Sequence, residues 1–243
     1  MNDTLIIVPA FNEERSIEQV IDEIRDQKIC ADLLIIDDGS VDKTPEIIRA
    51  MGCHVLSLYF NCGYGIACQA GFKYAVERNY QYIMKMDSDG QHRAFSLPAI
   101  LAKLKEGQSD IVIGSRFLSE EKYKSGRVRK VAIGLFRIII KLSTGAVISD
   151  PSSGLQGMNR KAFTFCSKAD NYAEDYPDAD VLIKLLRSGF KVQEVPAEFR
   201  ERVYGKGMHT GLKPVYYMAK MLVSILVVLI TYGKNGRRVK DAR

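Results

Sequence analysis

Cysteine is sparse and badly placed for a structural role. Cys30, Cys53, Cys62, Cys68 and Cys166 are odd in number, scattered over 243 residues and without a C-x-x-C pair, which argues against a disulfide framework or a zinc site and favours a reducing compartment. The three histidines, His54, His92 and His209, have no partner at metal-ligand spacing; His92 alone, in the Gln-His pair, stands near a candidate site. The opening MNDTLIIVPA lacks a basic n-region and a long apolar core, so no signal peptide is expected and the cytosol is the default address. No G-x-G-x-x-G follows the first apolar run. Gly63 and Gly65 begin such a pattern, but Cys68 holds the third glycine position, so a dinucleotide fingerprint fails. The P-loop consensus is missing too, and nothing suggests a Ser-His-Asp hydrolase.

What is present is ordinary globular usage, 47% apolar and 26% charged, which rules out a disordered or fibrous chain. The length suits one large domain or two small ones with a sizeable core. The net charge of +6 is unevenly spread: from Arg200 onward ten basic residues face two acids, and residues 1–199 balance to −2. A basic tail seeks phosphates, on nucleic acid or on a membrane. Here the cations flank an aliphatic run without aromatic interleaving, so an anionic membrane surface is expected and nucleic acid is not.

The N-terminal half alternates two periodicities. TLIIV (4–8), LLIID (33–37), VLSL (55–58), YIMKMD (82–87) and DIVIGS (110–115) read as strands. Between them lie helical patterns: Ile17, Val20, Ile21 and Ile24 on one face with Asn12 as N-cap, a helix opened by Thr44-Pro45, one from about Gly65 to Arg78, and an amphipathic stretch around Ile100, Leu101 and Leu104. Strands alternating with crossover helices imply an α/β fold, a mainly parallel sheet with helices on both faces.

Ligands of such sheets bind beyond the carboxyl ends of the strands. Those ends carry PAFNEE (9–14), DDGS (37–40) and DSDGQH (87–92), all acidic or turn-forming and all on one edge. Asp87 and Asp89 stand two apart after an apolar strand, with Gln91 two further on. Alternate residues of an extended stretch share a face, so the two carboxylates and the amide converge on one hard cation, Mg²⁺ or Mn²⁺. A metal so held keeps positions for substrate phosphates and suits a nucleotide diphosphate leaving group.

VPAFNEE, IIDDGSVDKT, the NCGYGIA segment, MDSDGQH and DIVIGSR, in that order, resemble glycosyltransferase family 2, inverting enzymes of the GT-A fold that use nucleotide-sugar donors. The likeness covers roughly residues 4–205 and is to the subgroup that transfers a sugar to a polyprenyl phosphate. It implies that Pro9, Ala10, Phe11, Asn12, Glu13, Asp37, Asp38, Gly39 and Ser40 hold the nucleotide, with Asp38 near the base or ribose. Asp87, Ser88 and Asp89 would complete the donor site, and Asp87, Asp89 and Gln91 would match the metal-binding D-x-D-x-Q. Arg116, in the GSR motif, would reach a phosphate, a role that a bidentate guanidinium suits. SDPSSGLQGMNRKAF (149–163) resembles the acceptor-side segment, where Leu155 and Gln156 depart from the usual aromatic or Arg. AEDYPDAD (173–180) occupies the place of the family's catalytic acidic pair. Asp175 is the candidate base if the acceptor is a hydroxyl, whereas an anionic phosphate acceptor needs none. The alternative for this cluster is a solvated cap before the helix VLIKLLRSGF. Arg200, Arg202 and Lys206 stand in a Gly-punctuated loop that suits closure over a diphosphate, Arg202 being assigned to the donor.

Two segments speak for a membrane. RVRKVAIGLFRIIIKLSTGAVI (127–148) mixes cations with aliphatics as an interfacial helix does, or as a crossover helix with snorkelling cations does. Val215–Tyr232 is apolar apart from Lys220 and small hydroxyls, and Lys234, Arg237, Arg238, Lys240 and Arg243 follow it. At 18 residues it falls short of the ~20 that span a bilayer, so an interfacial or dimer-forming helix against anionic lipid is expected. The organisation is then a glycosyltransferase domain over 1–211 and an apolar helix with basic tail over 212–243. The protein is expected on the inner face of the cell membrane, with a separate membrane-protein partner and self-association as further expectations. Three functions compete: transfer to a polyprenyl phosphate, transfer to a sugar hydroxyl in polysaccharide or glycolipid synthesis with Asp175 as base, and a catalytically silent nucleotide-sugar-binding scaffold.

Overall fold

β1 (Thr4–Ala10) is buried along its whole length, and its alternate side chains feed two separate cores. Leu5 and Ile7 face one layer with Ile36, Phe72 and Ile83, while Ile6 and Val8 face the other with Ile17, Ile21 and Ile100. That is why the run lacks a polar alternation: both faces of a central parallel strand are covered. The structure, a computed structural model, describes residues 2–119, 127–175, 177–200 and 213–232.

The remaining strands are β2 (Asp32–Asp37), β3 (His54–Ser57), β4 (Tyr82–Lys85), β5 (Ile111–Ser115), β6 (Gln156–Asn159) and β7 (Val192–Pro196). They form one sheet in the order β3-β2-β1-β4-β6-β5-β7. Only β6 is antiparallel to its neighbours, β4 and β5. One face carries α1 (Ile17–Asp26), α2 (Thr44–Ala50) and α4 (Leu97–Lys105). The other carries α3 (Tyr64–Glu77), α5 (Arg127–Thr144), α6 (Arg160–Cys166), α7 (Ala179–Arg187) and α8 (Lys213–Thr231). The expected α/β sheet with helices on both faces is what forms.

β6 and β7 go beyond the sequence reading. QGMN is four residues with a glycine and polar ends, and VQEVP alternates without a buried face of its own, so neither has the apolar signature of the inner strands. Asn12 does not cap α1. It takes a left-handed φ of +54°, and the chain makes a further turn in which the N–H groups of Ser16 and Ile17 both donate to the Glu13 carbonyl.

α5 and α8 each have two apolar sides. Ala132, Ile133, Phe136 and Ile140 of α5 are buried, whereas Val131, Leu135, Ile138 and Leu142 are exposed at helical spacing. α8 buries Met221, Ile225 and Val228 and exposes Leu222, Val223, Leu226, Val227 and Ile230. Lys130 and Lys141 are exposed beside the α5 stripe. Arg187 of α7 fastens the group, donating to the carbonyls of Ser143, Leu229 and Tyr232. No described helix is long and apolar enough to cross a membrane.

Candidate active site

The parallel register brings the motifs to one edge. Ala10 lies opposite Asp37, Asp37 opposite Ser57, and Ile7 opposite Lys85, which carries Asp87 level with Pro9. The Asp38 N–H donates to the Ala10 carbonyl at 2.8 Å, and Ser88 Oγ donates to the Pro9 carbonyl at 2.8 Å. All three motifs are therefore tied to the buried end of β1.

The nucleotide-side residues expected from the motifs gather here with distinct jobs. Asn12 donates its N–H to Ser40 Oγ (3.0 Å) and accepts from the Val41 N–H (2.9 Å), joining the loops after β1 and β2. Asp37 Oδ1 accepts from the Ser40 N–H at 3.0 Å. Asp38 is buried, and its two oxygens accept from the N–H groups of Cys62 (2.8 Å) and Gly63 (2.9 Å). Its carboxylate thus positions the loop that opens α3. Gly39, at φ +71°, packs so closely that a Cβ would sit 2.6 Å from the Phe60 carbonyl carbon. Phe11 stands exposed at the rim, and Glu13 donates its N–H to Thr44 Oγ1 at 2.8 Å. Arg202 and Lys206 lie outside the described residues.

The D-x-D turn is braced from below. Tyr64, the first residue of α3, donates its hydroxyl to Asp87 Oδ1 at 2.6 Å. The backbone of Gly154 abuts the same carboxylate, so that a Cβ there would fall 2.2 Å from Oδ2. His92 Nδ1 accepts from the Asp87 N–H (3.2 Å), which leaves the proton on Nε2, 3.5 Å from Asp87 Oδ2. Burial pulls the His92 pKa below its ordinary value against the opposing pull of Asp87 and Asp89. Asp89 Oδ1 accepts from the Gln91 N–H at 3.0 Å, closing the turn through Gly90 at φ +74°. Asp87, Asp89 and Gln91 offer oxygen donors only, and no group of three or more His, Cys, Asp or Glu gathers among the described residues. Two carboxylates and an amide oxygen on one turn are a hard donor set of the kind that Mg²⁺ or Mn²⁺ takes.

Arg116 is buried against Asp150 in a bidentate pair, both contacts 2.7 Å, with side chains 3% and 0% exposed. It also donates to Ser152 Oγ at 2.9 Å and lies 4.8 Å from the Phe199 ring. Glu194 of β7 in turn accepts from the N–H groups of Ser149 and Asp150. A chain of contacts thus runs from the far edge of the sheet through the 149–154 loop and Phe199, which meets His92 edge-on at 4.8 Å, to Asp87. Arg200 pairs with Glu23 at 2.7 Å and donates to the Gly90 carbonyl, clamping the D-x-D turn from outside.

The acidic segment before α7 reaches the site through Gly65, whose N–H donates to the Glu174 carbonyl at 2.8 Å. A Cβ at Gly65 would collide with the Ala173 and Glu174 carbonyls, which explains the second glycine of NCGYGIA. Asp175 is exposed and ion-paired with Lys220 of α8. Asp178 is bonded to the Tyr217 hydroxyl and Asp180 to that of Ser224. Burial pushes the Asp178 carboxyl up to about 6, opposed by the Tyr217 bond. The sequence reading missed Tyr64, Gly154, Asp150 and Glu194, whose partners are remote in the chain. Lys85 had one visible signal, a cation inside the apolar run YIMKM.

The glycosyl transferase family 2 model matches residues 5–165. The chain is 26% identical to polyprenol monophosphomannose synthase of Mycolicibacterium smegmatis, over 86% of this chain and 81% of that one. It is 28% identical to undecaprenyl-phosphate mannosyltransferase of Micrococcus luteus, over 85% and 87%. Among solved structures, glucosyl-3-phosphoglycerate synthase of Mycobacterium tuberculosis, crystallised with Mn²⁺, UDP-glucose and phosphoglyceric acid, superposes with a TM-score of 0.65. That match covers 93% of this chain and 79% of that one at 22% identity. The likeness identifies the sheet and its flanking helices as a GT-A fold.

Proposed function

Since the chain belongs to glycosyl transferase family 2 and is a glycosyltransferase, we propose that it moves a sugar from a nucleotide-sugar donor to a polyprenyl phosphate at a membrane surface, inverting the anomeric carbon. The names of the two relatives, both transferring mannose to a polyprenyl phosphate, support the acceptor class. The observation that carries the choice is the Asp175–Lys220 ion pair. A hydroxyl acceptor must surrender a proton to a base, and Asp175, the candidate for that task, is already engaged by Lys220 of α8. A phosphate oxygen is already anionic and attacks without one.

In this reading the loops after β1 and β2 hold the nucleoside, and Asp87, Asp89 and Gln91 hold the divalent cation. Bound there, Mg²⁺ or Mn²⁺ supplies neutralisation of the charge that grows on the departing diphosphate. Tyr64 and His92 aim Asp87, and Arg116 with Asp150 fixes the 149–154 loop against it. An acceptor phosphate oxygen bonds to the anomeric carbon as that carbon's bond to the donor phosphate breaks, and the nucleoside diphosphate leaves with the electron pair. The exposed aliphatic stripes of α5 and α8, with Lys130 and Lys141 beside them, suit an anionic lipid surface that presents the acceptor.

Labelled nucleotide-sugars are incubated with polyprenyl phosphate and Mg²⁺ or Mn²⁺, and product is extracted into organic solvent. Lipid product that is lost with chelator and in Asp89→Ala, yet falls less than about tenfold in Asp175→Asn, is the expected result. A drop of about two to four orders of magnitude in Asp175→Asn, with transfer to a saccharide, would instead assign general-base catalysis on a hydroxyl.

A further inference from the structure

Lys85 closes β4 among apolar neighbours, Ile83, Met84 and Met86, and is 1% exposed. Tyr172 Oη accepts from its Nζ at 3.1 Å, and the ammonium lies 5.3 Å and 5.8 Å from the ring centroids of Tyr64 and Tyr172. Phe72 braces Tyr172 edge-on at 5.1 Å. Tyr64 passes the contact on, its hydroxyl donating to Asp87 Oδ1. A buried ammonium is costly to keep where an aliphatic side chain would fill the same slot. The structure holds it under the Tyr64 ring, whose hydroxyl bonds Asp87 at the foot of the D-x-D turn.

We propose that Lys85 is an electrostatic residue of the donor site, a cation in its floor whose charge acts on Asp87 across the Tyr64 ring. This rests on the reading of Asp87 as one of the metal-holding carboxylates. With the divalent cation absent, Lys85 compensates the acidic turn and attracts the diphosphate. With it present, Lys85 repels it and keeps its affinity moderate. The same charge therefore acts with opposite signs on the two ligands.

That opposition is the test. Free Mn²⁺ is titrated by electron paramagnetic resonance, and UDP and GDP are titrated calorimetrically in chelator, for the full chain and for Lys85→Met and Lys85→Gln. Both variants are expected to bind Mn²⁺ about three- to tenfold more tightly and the better-bound diphosphate more weakly by a similar factor, as removal of one nearby unit charge gives at an effective protein dielectric. A role confined to packing would weaken both together by displacing Asp87. Unchanged or weakened Mn²⁺ binding in the Lys85 variants overturns the proposal, as does loss of near-ultraviolet dichroism in both, which would make the ammonium a structural member only. Asp87→Asn separates the two readings. If it leaves Mn²⁺ binding intact, the assignment of Asp87 falls and this inference with it. If it abolishes binding while the Lys85 variants match the parent, the inference alone fails.

Discussion

Gly154→Ala isolates the close approach of the 149–154 loop to Asp87. Gly154 is not among the residues of positive φ, so alanine brings no backbone strain there and its effect is steric. The new methyl would lie 2.2 Å from Asp87 Oδ2 and 2.8 Å from Cγ and Oδ1. An ordinary C···O approach is about 3.3 Å or more, so the carboxylate must retreat by about 1 Å. Asp87 cannot simply rotate away without giving up the 2.6 Å bond from Tyr64. A misplacement of that size in a group that orients reactants costs about a hundredfold in rate, whereas the stability cost of the overpacking is about 1 kcal/mol, at the low end for such changes because Asp87 is partly exposed. The assay is transfer rate against Mn²⁺ concentration beside a thermal melt. A variant within twofold of the parent rate at every metal concentration would refute the view that the loop backbone sets the Asp87 position.

Asp150→Asn leaves the buried Arg116 guanidinium without its counter-charge and is expected to cost about 3 kcal/mol, a fall in melting temperature of about 6–12 °C for a chain this long. A shift below about 2 °C would show that the pair is not the anchor of the loop. The raised pKa of Asp178, about 6 against an ordinary 3.8, means that the folded chain holds this proton more tightly than the unfolded one. Its contribution to stability is complete below pH 3.8 and is lost as the pH climbs through 6. Asp178→Asn is therefore expected to gain on the parent between pH 4 and 7 by up to about 3 kcal/mol; denaturant titrations showing a constant difference across that range would refute this. Leu142→Glu combined with Val227→Glu, both at exposed positions of the aliphatic stripes, is expected to cut co-sedimentation with anionic vesicles at least tenfold without lowering the melting temperature. Equal sedimentation would remove these faces from the membrane reading.

The strands whose two faces are both covered were legible because burial leaves a continuous apolar run, as in TLIIV and LLIID. β6 and β7 were not, because their place is fixed by partners: Gln156–Asn159 is recognisable as a strand only once β4 and β5 lie on either side of it. The same division runs through the site. The D-x-D turn, the DDGS loop and the PAFNEE loop announce themselves by residue type at strand ends. The helix start was misread at Asn12 because an Asx side chain serves a loop-to-loop bond as well as a cap, and only the position of Ser40 decides between them. Asp150 and Gly154 lie in the 149–163 segment that the resemblance marks, but their individual roles, like that of Glu194, are defined by contacts with Arg116, Asp87 and Ser149 across the sheet. Asp38 shows a further limit. The resemblance implies a place near the base or ribose, and the contacts with the N–H groups of Cys62 and Gly63 add a loop-holding role that no local pattern announces.

The antiparallel β6 bears on how the chain is made. β1 to β4 follow one another in sequence and pair as a contiguous parallel half, but the outer edge of β4 is completed only by residues 156–159. During synthesis that edge presents its peptide groups to any passing strand until this late segment emerges. β5, made earlier, must leave a gap one strand wide for it. The chain is thus exposed to edge-to-edge association over this interval, and a nascent fragment ending before residue 156 is the form that a holding chaperone would meet.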